Sequence, residues 1–122
     1  MKFSLENPLQ GHVVRGYEPG RILVDAAVYE QNLVVMADLL QPGWEPDTVA
    51  DLAGRHITAL AQHRPEIVII GTGEKQVFPP RRLFVGLIDL QIGYEIMDTA
   101  AACRTYNILA NEGRRVLGAF FV

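Results

Sequence analysis

The chain has 122 residues, 49% of them apolar and 20% charged, with a formal net charge of −3. That length bounds one domain, 1–122, and the apolar share excludes a disordered chain. A mildly acidic chain whose tight basic pairs are Arg81-Arg82 and Arg114-Arg115 lacks the basic footprint of a nucleic-acid binder, so no nucleic acid is expected as a partner.

Cys103 is the one cysteine. It excludes an internal disulfide and a cysteine-based zinc site, and it suits a reducing compartment. The start, Met-Lys-Phe-Ser-Leu-Glu-Asn-Pro, develops no apolar signal core. The longest apolar stretches, Ile67–Ile70 and Leu83–Leu90, fall short of the ~20 residues of a membrane helix. No transmembrane segment and a cytoplasmic location are expected.

The first forty-odd residues read as strands. His12–Tyr17 is rich in Val, Glu18-Pro19-Gly20 makes a turn, and Arg21–Val24 resumes an extended pattern. Leu33–Leu40 is dense in branched apolar residues and is stopped by Gln41-Pro42-Gly43. Connections this short predict antiparallel pairing. From Thr48 the rhythm becomes helical, with Asp51 three residues on in a capping-box pattern. Val49, Leu52, Ala53, His56, Ile57, Leu60 and Ala61 share one face, and Pro65 ends the helix. Glu66–Ile70 reads as a strand buried on both faces, broken by Gly71-Thr72-Gly73.

A second helix is expected from Pro80, with Leu83, Phe84, Leu87 and Ile88 as its buried stripe. Gly93–Met97 follows as a strand. Asp98 or Thr99 caps a third helix that runs to Glu112 and stops at Gly113, and Val116–Val122 is the last strand. Strand, helix, strand, helix, strand in the second half points to a largely parallel sheet under packed helices. The antiparallel strands of the first half make the whole a mixed-sheet, three-layer α/β domain.

No complete catalytic motif is present. Gly71-Thr72-Gly73-Glu74-Lys75 follows a buried strand, where ligand sites of α/β sheets cluster. It has Gln76 where a dinucleotide fingerprint needs a third glycine, and it lacks the Gly-Lys-Ser/Thr of a phosphate loop. A tight turn is the simpler reading. The helix start at Thr99 offers free N–H groups to an anion, and a small carboxylate or phosphate is the ligand that would fit between Gly73 and Thr99. Cys103, among Ala100, Ala101 and Ala102, reads as a small core residue rather than a nucleophile. His56 and His63 stand too far apart to chelate one metal, and the carboxylates Asp25, Asp38, Asp47, Asp89 and Asp98 form no acid/base pair. No catalytic, metal or cofactor site is assigned. Trp44, in a loop, either plugs the core or marks a partner surface.

The stretch from Met97 to Val116 resembles a small family built on the Mth-type domain, whose biochemical activity is unknown. Thr99, Tyr106, Asn107, Leu109, Gly113 and Val116 match its C-terminal motif. Ile70-Gly71-Thr72-Gly73 matches its turn, and Trp44 matches a tryptophan of some members. Those members include an adipogenesis-associated protein and a mitochondrial assembly factor for respiratory complex I. The resemblance implies a central, mostly parallel mixed five-stranded sheet with helices on one side. Additional antiparallel strands and a helix cover the other. It also implies partner binding, to respiratory complex subunits or assembly factors, rather than a known reaction. Gly71, Thr72, Gly73, Thr99 and Asn107 remain as ligand-site candidates, with Asn107 expected to bond a neighbouring loop such as the Gly71–Gly73 turn.

Overall fold

The computed structural model describes residues 11–122, so the expected absence of a signal core at the N-terminus lies outside the described residues. Three strands, β1 (Val14–Glu18), β2 (Arg21–Val24) and β3 (Ala27–Tyr29), form a small antiparallel sheet. The Leu33–Leu40 run is not one strand. It folds back on itself as a hairpin of β4 (Leu33–Met36) and β5 (Leu39–Pro42), turning at Ala37-Asp38. Every residue of β4 is buried while β5 is half to fully exposed. The apolar run therefore supplied an inner strand and its edge neighbour.

The remaining elements are α1 (Gly54–Leu60), β6 (Ile67–Thr72), α2 (Val85–Asp89), β7 (Gly93–Met97), α3 (Thr99–Asn111) and β8 (Val116–Phe121). Thr48 and Asp51 bond to each other as the capping pattern requires, but they close a single 3-10 turn, Val49–Asp51. The helix proper begins later. Its first turn is closed by the His56 ring, whose Nδ1 accepts the Ala53 N–H at 2.9 Å.

The large sheet has the order β5-β4-β8-β6-β7. Strands β6, β7 and β8 run parallel, while β4 is antiparallel to both β5 and β8. The mixed five-stranded sheet is as expected, with its four pairings divided evenly between the two senses. Side chains alternate across it. Val34, Met36, Val68, Ile70, Leu117 and Phe121 face α1 and α2, meeting Ile57, Leu60, Phe84 and Leu87. Val35, Ile69, Val116 and Phe120 face α3 and the small sheet, meeting Ala102, Cys103, Tyr106, Val14, Ile22 and Val24. Two helices thus cover one face, and α3 with the antiparallel strands covers the other.

Candidate functional site

The parallel pairing of β6 with β7 brings the Gly71–Gly73 turn against the start of α3. In this ladder Gly71 stands between Met97 on β7 and Phe120 on β8. A β-carbon on Gly71 would lie 2.8 Å from Thr99 Oγ1 and 3.0 Å from Thr99 Cα. The glycine is there because α3 sits on the strand with no room for a side chain. Gly73 turns the chain with φ 95°.

Thr99 is fully buried at this seam. Its hydroxyl accepts the Gly73 N–H at 2.7 Å and donates to the Phe121 carbonyl at 2.7 Å. Its own N–H donates to the Gly73 carbonyl at 2.8 Å. Thr72 organises the next bend, its hydroxyl donating to the Lys75 carbonyl at 2.6 Å and accepting the Val77 N–H at 3.2 Å. The helix cap is Asp98, whose Oδ1 accepts the Ala101 N–H at 2.9 Å. Gly71, Thr72, Gly73 and Thr99 are therefore brought together as expected, with Gly73 and Thr99 bonded to each other, the Thr99 hydroxyl bonded also to β8, and the Thr72 hydroxyl bonded within the loop that follows.

Asn107 is elsewhere. It sits two turns along α3, and both ends of its amide bond Val14 on β1 rather than the Gly71–Gly73 turn: Oδ1 accepts the Val14 N–H and Nδ2 donates to the Val14 carbonyl. Tyr106, fully buried, donates from its hydroxyl to the His12 carbonyl at 3.3 Å. Cys103 lies one turn before them on α3, in the same core layer as Tyr106. Burial pushes its thiol up to about 12, with Asp98 adding to the rise and Arg104 opposing it. A thiol so protonated is a packing group, not a nucleophile.

Trp44 is half-buried, its ring 5.0 Å from that of Phe121 and packed on the core beneath α1 and α2.

Two features were not singled out from the sequence. The first is a bonded pair, His12 Nδ1 to Asp25 Oδ2 at 2.7 Å, beside a groove of about 270 Å³ lined by His12, Asn107 and Asn111. Asp25 is left-handed (φ 55°) and also accepts the Val13 N–H at 3.0 Å. Burial raises its carboxyl pKa, but the Val13 N–H, His12 and Arg15 outweigh that and hold it below the ordinary value. Only the fold joins these residues.

The second is the segment from Lys75 to Leu90. Among the described residues, five of the seven large apolar side chains left exposed lie between Val77 and Leu90. Phe78 is 71% exposed, Leu90 61% and Val85 49%. Ile88, expected in the buried stripe, faces out, while Phe84 and Leu87 face in. Arg81 and Arg82 in a 3-10 turn (Arg81–Phe84) and Val85 and Ile88 in α2, which follows it, are all exposed. The signal was present in the sequence as an aromatic before two prolines and two arginines, and as apolar residues on both faces of a short helix.

The family described as "Protein of unknown function (DUF498/DUF598)" matches residues 14–121. The chain belongs to this family. Among its relatives, the "13 kDa major membrane protein" of Francisella tularensis subsp. holarctica is 32% identical over 101 residues, 82% of each chain. The human NADH dehydrogenase (ubiquinone) 1 alpha subcomplex assembly factor 3 is 36% identical over 63 residues, 52% of this chain and 34% of that protein. This chain thus matches about a third of the human protein's length.

Solved structures agree. An NMR structure from Xanthomonas campestris matches with a TM-score of 0.84 and 34% identity, covering 100% of this chain and 92% of that one. A Bordetella pertussis protein described as a Mth938-like domain matches at 0.81 and 26% identity, covering 99% and 92%. The Mth-type resemblance and the layered α/β fold read from the sequence are both correct for the DUF498/DUF598 chain. No helix among its described residues is long and apolar enough to cross a membrane.

Proposed function

We propose that this DUF498/DUF598 chain is a non-enzymatic, cytoplasmic binding protein of the assembly-factor type, with partners among respiratory complex subunits or their assembly machinery. The observation that carries the reading is the run of exposed apolar side chains in the segment from Val77 to Leu90. Solvent-facing apolar side chains gathered in one short segment of a small domain mark an interaction surface. The assembly-factor relatives support a protein partner in general terms. At the Gly71–Thr99 seam, by contrast, the Gly73 N–H and the hydroxyl and N–H of Thr99 are bonded within the protein.

The test is affinity capture of the tagged protein from its own cells with membranes solubilised, read by mass spectrometry. Phe78→Ser is the surface variant. Trp44→Ala would open a hole against Phe121 and confuse binding with stability. Respiratory-complex proteins recovered with the wild type and lost with Phe78→Ser are the expected result. A wild-type capture without any stoichiometric partner sinks the reading.

A further inference from the structure

The exposed face from Val77 to Leu90 carries charge as well as apolar surface. Lys75, Arg81 and Arg82 are all exposed, and none has an ion-pair partner among the described residues. Elsewhere Arg21, Arg55, Arg114 and Arg115 are matched with carboxylates, while Arg64 and Arg104 are exposed singly without an ion pair among the described residues, so it is the grouping of three cations within eight residues that sets this segment apart. In a chain of net charge −3, three unmatched cations bracket the most exposed aromatic side chain. Glu74 and Asp89 stand at the two ends of the segment, so the positive potential belongs to its middle and is short-ranged.

The shape of the face matters as much as its charge. Phe78 projects from a stiff loop. Pro79 behind it is buried and Pro80 leads into the 3-10 turn, so the ring is presented without much backbone freedom. The His12 groove lies against α3, in the opposite layer. A protruding ring between cations suits a soft surface that closes around it.

We propose that this face docks on an anionic lipid surface. Phe78 enters the headgroup region, and Lys75, Arg81 and Arg82 lie against lipid phosphates. The cation stems cover apolar surface while their heads stay at the polar level, which is the arrangement of a peripheral, non-spanning membrane contact. The inference rests on the reading that this face is the docking face, and it names a lipid occupant there.

The test is sedimentation of the full chain with vesicles of phosphatidylcholine alone and of phosphatidylcholine with phosphatidylglycerol in equal parts. Binding is expected only to the mixed vesicles, and it should weaken as salt is raised. The double variant Arg81→Ala/Arg82→Ala should bind about thirtyfold more weakly, at roughly fivefold per charge. Phe78→Ser should also lose binding, with circular dichroism unchanged in both variants because all three side chains are exposed. Absence of binding to mixed vesicles, equal binding to both vesicle types, or variants that bind like wild type would each overturn the proposal. The capture experiment then separates the two readings. Lipid binding absent but a protein partner lost with Phe78→Ser leaves the face as a protein interface, whereas failure of both removes it as a docking face.

Discussion

The side-chain amide of Asn107 is hydrogen-bonded twice to a single backbone unit, that of Val14, at 3.0 Å through its oxygen and 2.7 Å through its nitrogen. An amide used this way imitates a neighbouring strand. It gives β1 a ladder partner on the side where no strand runs, and it fixes the small sheet to α3. Asn107→Leu leaves both Val14 groups without partners in a half-buried place. A loss of about 2–3 kcal/mol is expected from two such bonds. Hydrogen exchange should report it locally, with β1 and β2 losing protection well before β6 and β8.

Thr99 is the second fixed point, and its role differs from that of a helix cap. Were Thr99 the cap, as one of the two candidates at Asp98-Thr99, its substitution by Val would cost only ~1 kcal/mol. The structure assigns the cap to Asp98 and gives the Thr99 hydroxyl one acceptor and one donor, both buried. Thr99→Val keeps the shape but strands the Gly73 N–H and the Phe121 carbonyl, for an expected cost of about 2–5 kcal/mol. Thr99→Ser retains both bonds and should lose only about 1 kcal/mol, that of a buried methyl group. Urea unfolding of the pair distinguishes the two roles, since equal midpoints for Val and Ser would exclude a hydroxyl contribution.

Gly71→Ala tests the close approach of strand and helix directly. The added carbon meets the Thr99 backbone and the Phe120 ring as well as a hydroxyl, so no flexible side chain can simply move aside. Destabilisation of about 2 kcal/mol or more is expected from overpacking. A thermal melt unchanged from wild type would mean that α3 lifts from the sheet without penalty.

Cys103 supplies a pH prediction. Its thiol titrates at about 12 in the folded chain against an ordinary 9.0. Below pH 9 both folded and unfolded chains keep the proton, and the group has no effect on the balance. Between 9 and about 12 the unfolded chain releases it while the folded chain does not. Stability should therefore fall as pH rises through that window, by at most about 1.4 kcal/mol per unit from this group. Tyr106, also raised by burial, acts in the same direction. Cys103→Ala should flatten part of the alkaline slope, and the native thiol should react with disulfide reagents at pH 8 only as fast as the chain unfolds.

The legible parts of this fold are those whose signal is local. β7 falls where the sequence places it because Gly93 and Asp98 punctuate it, and α3 ends at Asn111, with Gly113 taking φ 82° just beyond its Glu112 cap. The hairpin inside Leu33–Leu40 rests on a single local signal, the turn-forming Asp38, without a glycine or proline beside it to mark the bend. α1 was misplaced because its first-turn acceptor is an imidazole three residues in, a residue with little capping preference of its own. Of the candidate site, the meeting of Gly73 with Thr99 follows from parallel topology. The partner of Asn107 does not, since Val14 is brought to it from the other end of the chain. Ile88 was counted with the core because a 3.6-residue period cannot show which of two apolar stripes on a short helix is left uncovered.

The place of β8 in the large sheet bears on how the chain is made. It is the middle strand, antiparallel to β4 on one side and parallel to β6 on the other, yet among the described strands it comes last in sequence. While it is still being synthesised, the β4–β5 hairpin and the β6–β7 pair have nothing between them to join them. Nascent chains stalled before Val116 should therefore hold two separate half-sheets with their apolar faces unjoined, and are expected to be prone to aggregation.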